Sequence, residues 1–137
     1  MRILDGYAGT GAIGLEALSR GAAHVTFVEQ DPRAVKLIEA NLAALGGSPP
    51  KPVIIRAGLS EAVARLAGGA FDLIILDPPY AHDAASGALA AVADLASPGT
   101  RIVVEHAARH APPDAHGALT RTRTVTAGDS ALSFYER

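Results

Sequence analysis

The stretch Leu73-Ile74-Ile75-Leu76-Asp77-Pro78-Pro79-Tyr80 runs from an unbroken aliphatic segment into an acid, two prolines and an aromatic ring. Four consecutive aliphatic residues with no polar alternation are the pattern of a strand buried on both faces of a parallel sheet. Proline fixes its own φ, has no N–H for a sheet ladder and keeps the preceding residue out of the helical region. Asp77 and Pro78 are therefore held extended, with carbonyls left free. Open α/β sheets bind ligands at the carboxyl ends of their strands, where Asp77 offers a carboxylate, Pro78 a carbonyl oxygen and Tyr80 a ring face. That set suits a planar amine: two acceptors take the two NH2 hydrogens while the ring stacks on the heterocycle. An ordinary strand-to-helix turn with a cap and a surface tyrosine fits the same residues, so the surrounding chain has to decide.

Upstream, Arg2 to Asp5 reads as a short first strand followed by Gly6-Tyr7-Ala8-Gly9-Thr10-Gly11. Gly9, Gly11 and Gly14 satisfy G-x-G-x-x-G, and Glu29 follows Gly9 by twenty residues, as in a dinucleotide fingerprint. Glycines at such a turn permit close approach of a ligand, or simply close packing of the helix on the strand. The pattern predicts a helix over Ala12 to Arg20, with Ile13, Leu15, Ala17 and Leu18 apolar, and a strand over His24 to Glu29. Glu29, at a strand's carboxyl end, is placed for the two hydroxyls of a ribose or for solvent. Asp31-Pro32 marks a helix start, Val35, Ile38, Leu42 and Leu45 trace its apolar face, and Gly46-Gly47 stops it. A proline-rich loop over 48–52, a third strand over Val53 to Arg56, and a helix capped by Ser60 and ended by Gly68-Gly69 complete the approach to Leu73.

Downstream, an Ala-rich helix over Ala84 to Ala96 carries Leu89, Val92 and Leu95, and Thr100 to Glu105 is a fifth strand. His106 to Gly117 reads as a loop with His106 and His110 as surface histidines. Leu119 to Val125 alternates Thr and Arg, which puts Arg121 and Arg123 on one side of a strand, and Gly128-Asp129 turns into a last strand over Ala131 to Tyr135. Strands alternating with helices, then two strands in succession, give an open, mostly parallel seven-stranded α/β sheet with an antiparallel C-terminal hairpin.

The bulk numbers agree with one such domain over 1–137. No stretch approaches the about 20 apolar residues of a membrane span and the first residues lack a signal-peptide core, so the expected location is cytoplasmic, without membrane contact. With no Cys and five His lacking ligand spacing, neither a thiol nucleophile nor a metal site is expected. A net charge of −2 argues weakly against a self-sufficient nucleic-acid binder.

Three pieces stand in register: Leu4-Asp5-Gly6-Tyr7-Ala8-Gly9-Thr10-Gly11, Gly14-Leu15-Glu16-Ala17-Leu18-Ser19-Arg20-Gly21 and Asp77-Pro78-Pro79-Tyr80. With Gly128-Asp129-Ser130-Ala131-Leu132-Ser133-Phe134-Tyr135 at the end, they resemble the bacterial RsmD-like family of 16S rRNA guanine-N2 methyltransferases across essentially the whole chain. The resemblance implies a Rossmann-like class I methyltransferase fold, S-adenosylmethionine as cofactor, and 16S rRNA in a small ribosomal subunit as partner of a monomer. It implies that Gly9 and Gly11 pass beneath the cofactor's methionine part with Asp5 near its ammonium, that Glu29 binds its ribose and Gln30 and Leu59 border its adenine, and that Tyr7 and Thr10 belong to the same cofactor site. Asp77, Pro78, Pro79 and Tyr80 are implied to hold and stack the guanine. Two departures stand out. The family's acidic or amide adenine ligand after the third strand is replaced by Ala57 and Gly58, and the family's basic N-terminal segment has no counterpart before Arg2. The alternatives are an amino methyltransferase acting on DNA adenine or protein glutamine and a non-catalytic cofactor-binding remnant. A NAD-dependent dehydrogenase fits the glycines alone and leaves Asp77 to Tyr80 without a task.

Overall fold

The structure is a computed structural model and describes residues 1–46, 52–66 and 70–137. The chain runs β1 (Arg2–Asp5), α1 (Ala12–Ser19), β2 (His24–Val28), α2 (Pro32–Leu45), β3 (Val53–Ile55), α3 (Leu59–Arg65), β4 (Leu73–Leu76) and α4 (Ala84–Val92). A single 3-10 turn over Ala93–Leu95 leads to β5 (Arg101–Ala107), β6 (Ala115–His116), β7 (Leu119–Ala127) and β8 (Ser130–Glu136). All eight strands form one sheet in the order β3-β2-β1-β4-β5-β8-β7-β6, parallel from β3 through β5 and antiparallel beyond.

Alternation within the strands sorts their side chains between two helical layers. Leu4, Val28, Ile74, Leu76, Ile102 and Val104 face α3 and α4, where Ala62, Leu89 and Val92 are buried against them. Ile3, Val25 and Phe27 face α1 and α2 and pack on Ile38. Each fully buried Leu, Ile or Phe contributes about 1.5–3 kcal/mol relative to exposure, so these two layers hold the strand ends in place. Asp31 caps α2 by accepting the Arg33 N–H at 2.9 Å, with Pro32 at the first helical position.

Gly14 is the third glycine of the fingerprint, and its role is packing. A Cβ built on it would lie 2.3 Å from Cε1 of Phe27 and 2.9 Å from Cγ1 of Val25, two side chains with no exposed surface. Gly14→Ala therefore gains up to about 1 kcal/mol of helix propensity but forces a core rearrangement that costs about 1–3 kcal/mol. A lowered melting temperature is expected, and an unchanged or raised one would contradict the packing role.

Several sequence expectations are corrected here. The seven expected strands form, and the presumed loop after β5 contributes an eighth, the two-residue β6. His106 is not a surface histidine: it lies in β5, is buried, and its ring nitrogens lie 2.8 Å from the Ala107 carbonyl and from Ser133 Oγ. Arg121 and Arg123 do not share a side. A bulge at Thr122 pairs Arg121 with Tyr135 and Arg123 with Phe134, successive residues of β8 that point to opposite faces. Arg121 then bonds the Pro112 carbonyl and Asp114, while the Arg123 guanidinium lies 5.8 Å from the Phe134 ring centre. The cap of α3 is Gly58 rather than Ser60, and the helix begun at Ala84 tightens into the 3-10 turn after Val92. Gly47, the loop over 48–51 and Gly68-Gly69 lie outside the described residues.

Candidate active site at the carboxyl edge of the sheet

Three of the five parallel strands end in an aliphatic residue and an acid, Leu4-Asp5, Val28-Glu29 and Leu76-Asp77, and β5 carries the same pair, Val104-Glu105, where its pairing with β4 stops. The strand register aligns them. Asp5 pairs with Phe27 and Ile75, so Glu29 and Asp77 stand two residues further along the neighbouring strands, on the same side of the sheet. Leu76 pairs with Val104, so the next step along both strands sets Asp77 beside Glu105. None of the four is in an ion pair among the described residues. The edge is a row of uncompensated carboxylates, a place of negative potential.

Asp5 forms the floor. It is 3% exposed, the backbone N–H groups of Tyr7 and Gly14 bond to its carboxylate, and Oδ2 has no partner. Burial raises its pKa from 3.8 to about 6; those two backbone bonds oppose the rise, and the charges of Asp77 and Glu29 add to it. An orphaned buried oxygen of this kind marks a place for a donor or a cation that the protein itself does not supply.

The glycine turn rises from this floor and is stitched to both neighbours. Gly6 N–H bonds Ile75 O at 2.9 Å and Ala8 N–H bonds Val28 O at 2.9 Å. Gly9 has a φ of 56° with nothing within 4 Å of where a Cβ would stand, so it borders open space. Its N–H donates to Glu29 Oε1 at 2.8 Å, and Asp31 N–H donates to Oε2 at 2.9 Å. Glu29 is thereby fixed with lone pairs to spare. Gly11, at a φ of 84°, instead faces Ile38, Leu15 and Phe27, and its N–H is taken by Ala8 O. Thr10 is exposed and Tyr7 half-buried. Exposed Gln30 reaches Gly58, its Oε1 lying 3.5 Å from the Cβ position there, so its side chain borders the gap left by the small residues Ala57 and Gly58. Leu59 packs under the turn against Gly6 and is buried.

On the far side of Asp5, Pro78 is buried while Asp77, Pro79 and Tyr80 are exposed. No backbone donor among the described residues takes the Pro78 carbonyl. The Tyr80 hydroxyl lies 2.6 Å from Ser130 Oγ, at the start of β8. Because β5 lies between β4 and β8, this tether draws the ring across the end of β5. Asp77 has its pKa raised from 3.8 to about 6, first by loss of hydration at its carboxyl despite the residue's overall exposure, then by the adjoining Glu105 carboxylate and its charge.

The donor set has two halves. Asp5, Gly9 and Glu29 fit an elongated cofactor with a cationic head and vicinal hydroxyls, while Asp77, the Pro78 carbonyl and Tyr80 fit an aromatic amine. A family model described as conserved hypothetical protein 95 matches residues 1–136. The chain belongs to the RsmD-like methyltransferase family. This RsmD-like chain is 33% identical over 141 residues to a candidate rRNA methyltransferase of Bacillus subtilis, YlbH, in an alignment covering 99% of the chain and 76% of that protein. It is 36% identical over 87 residues to ribosomal RNA small subunit methyltransferase D of Haemophilus influenzae, which covers 63% of the chain and 45% of that protein. Among solved structures, a candidate methylase of Haemophilus influenzae superposes with a TM-score of 0.87 at 29% identity, covering 98% of this chain and 85% of that one. The fold is that of class I methyltransferases.

Sequence reading of the RsmD-like chain missed Glu105 and Ser130. The repeated aliphatic-acid ending of the strands was the available signal for Glu105. Nothing local marks Ser130, whose part depends on β8 inserting next to β5. No described helix is long and apolar enough to cross a membrane.

Proposed function

We propose that this chain methylates the exocyclic N2 amine of a guanine in 16S rRNA, presented in a small ribosomal subunit or an assembly intermediate, with S-adenosylmethionine as donor. The observation that carries the reading is the pairing, on adjacent strands, of the orphaned Asp5 carboxylate with the free acceptors of Asp77 and Pro78. Relatives named as rRNA and small-subunit rRNA methyltransferases support rRNA as the substrate class. The guanine N2 target rests on family resemblance and on the acceptor set.

When bound, S-adenosylmethionine supplies a methyl group made electrophilic by its sulfonium. Asp5 Oδ2 takes the ammonium of the methionine part, Gly9 leaves room beside it, Glu29 accepts from the ribose hydroxyls, and Gln30 borders the adenine. The row of carboxylates favours this cation over the neutral thioether left after transfer, which helps exchange of product. Asp77 and the Pro78 carbonyl each accept one hydrogen of the amine. An aryl amine is a weak nucleophile because its lone pair is delocalised into the ring. Two acceptors set for a pyramidal nitrogen localise that pair and orient it, and the proton that the nitrogen sheds on gaining a methyl group would pass to the Asp77 carboxylate. Tyr80 stacks on a base that has left its helix, the condition for reaching any base edge in a pocket.

The test is transfer of labelled methyl groups by this chain to small subunits from cells lacking guanine-N2 methylation, with mature subunits as control. No transfer under conditions where cofactor is shown to bind would overturn the reading. Tyr80→Phe keeps the stacking ring and removes its bond to Ser130, worth about 1 kcal/mol. A fall of roughly fivefold in kcat/KM is expected, matched by Ser130→Ala. A full-sized loss in Tyr80→Phe with none in Ser130→Ala would show that the hydroxyl acts on the substrate instead.

A further inference from the structure

Glu105 is a half-buried carboxylate on β5, beside Asp77 where the pairing of β4 with β5 stops, and two residues before Ala107, the partner of the Ser130 that tethers Tyr80. Neither cofactor nor amine needs it, and no side-chain donor or cation among the described residues partners it. Its position in the sheet separates it from the cofactor: Glu29 lies on β2 and Asp5 on β1, whereas Glu105 lies beyond Asp77 on the opposite flank. A base whose amine is held by Asp77 and Pro78, with its Watson–Crick edge toward β5, brings the neighbouring atom of that edge to Glu105. On the Watson–Crick edge of guanine the atom next to the N2 amine is N1, which carries a hydrogen; the bare N3 lies on the other side. In adenine and cytosine the ring nitrogen next to the amine is bare and carries a lone pair. A carboxylate at that point bonds guanine and repels the other two.

We infer that Glu105 accepts the guanine N1–H and is the residue that makes the site specific for guanine. The inference rests on the function proposed above. It also gives the close approach of two carboxylates a purpose: Asp77 and Glu105 together present the adjacent acceptors that adjacent N1–H and N2–H donors require. Without substrate the two carboxylates stand side by side on adjacent strands, and the base supplies the two donors they lack.

The experiment compares two RNAs, after the wild-type chain has been used to map the methylated nucleotide on unmethylated small subunits. One carries guanine at that position and the other 2-aminopurine, which keeps the N2 amine and lacks the N1 hydrogen. Wild type is expected to prefer guanine by on the order of 100-fold, because a half-buried carboxylate left facing a bare ring nitrogen without its donor is penalised. Glu105→Gln is expected to lose on the order of 10- to 100-fold on guanine, the worth of a charge-assisted bond. Its amide can donate to the bare N1 of 2-aminopurine, so turnover of that base holds or rises and the preference collapses. Glu105→Asp, which keeps the charge one methylene further back, is expected to keep the preference at a lower rate.

Equal use of both RNAs by wild type would overturn the inference without any variant. So would a Glu105→Gln chain that loses both substrates in equal proportion, the result for a residue that only positions Asp77. If wild type transfers no methyl group to guanine while binding cofactor, the proposed function falls and this inference with it.

Discussion

Asp77→Asn is expected to cut methyl transfer by on the order of 10^2- to 10^3-fold, the usual cost of removing one preorganised electrostatic group at a reacting atom. Cofactor affinity should be nearly unchanged. The reason lies in the two-sided build of the carboxyl edge. Asp77 follows the last residue of β4 and is the group proposed to hold the amine, whereas the groups proposed for the cofactor hang on β1 and β2 and are tied to the glycine turn and to Asp31. An amide in place of the carboxylate presents one neutral acceptor and turns an NH2 toward a substrate NH2, so the amine's lone pair is no longer drawn out of conjugation. Titration calorimetry with S-adenosylmethionine and single-turnover methyl transfer separate the two quantities. Equal loss of both would show Asp77 to be structural.

The same residue sets a pH dependence. Loss of hydration, reinforced by Glu105, raises its pKa from 3.8 to about 6. Only the ionised form accepts from the amine, so kcat/KM should fall as pH drops through about 6, approaching tenfold per unit below it. Glu105→Gln removes the partner that helps to raise this pKa, so the acid limb should move to lower pH in that variant. An acid limb that persists unshifted in Asp77→Asn would assign it to another group.

How much of this was written in the sequence depends on which forces set each feature. The parallel core was legible because Leu73 to Leu76 and Val25 to Val28 carry a local pattern with one structural meaning. The strand-end acids Asp5, Glu29 and Asp77 were legible for the same reason, each closing an apolar run beside turn residues. Gly14 was legible as a glycine but not as a packing glycine, since that depends on Phe27 crossing beneath it. The C-terminal part was harder. Alternation of Thr and Arg over Leu119 to Val125 specifies a strand, yet one bulged residue at Thr122 reverses every assignment beyond it. His106 looked like part of a polar loop because its neighbours are His, Ala and Pro. Its burial is decided by Ser133 on β8, 27 residues away, which offers the ring a partner. Glu105 and Ser130 became site candidates only once β5 was seen between β4 and β8.

Asp5→Asn should separate stability from binding in opposite directions. Asp5 is 3% exposed and its Oδ2 is unpartnered, and burial is the main reason its pKa stands near 6 in the folded chain against 3.8 when hydrated. The folded state thus holds the proton more tightly than the unfolded state. The stability this confers is fully present below about pH 3.8 and is lost as pH rises through about 6. At pH 7.5 the ionised carboxylate is a liability of roughly 1–3 kcal/mol. The isosteric amide carries no charge, so Asp5→Asn is expected to raise the melting temperature by several degrees at pH 7.5 and to give little or no gain at pH 4. Its effect on binding runs the other way. An amide at Oδ2 presents N–H groups, or at best a neutral acceptor, to the cofactor's ammonium. Affinity should fall by on the order of 10- to 100-fold, the worth of a charge-assisted contact in a partly buried site. Thermal denaturation at the two pH values and calorimetric titration of the same protein measure both quantities. A variant less stable than wild type at pH 7.5 would mean that the bonds from Tyr7 and Gly14 outweigh the cost of burying the charge. One that binds cofactor as tightly as wild type would remove Asp5 from the ammonium site. A gain in stability together with a loss in affinity would identify Asp5 as a group kept at the fold's expense because the cofactor supplies its missing partner.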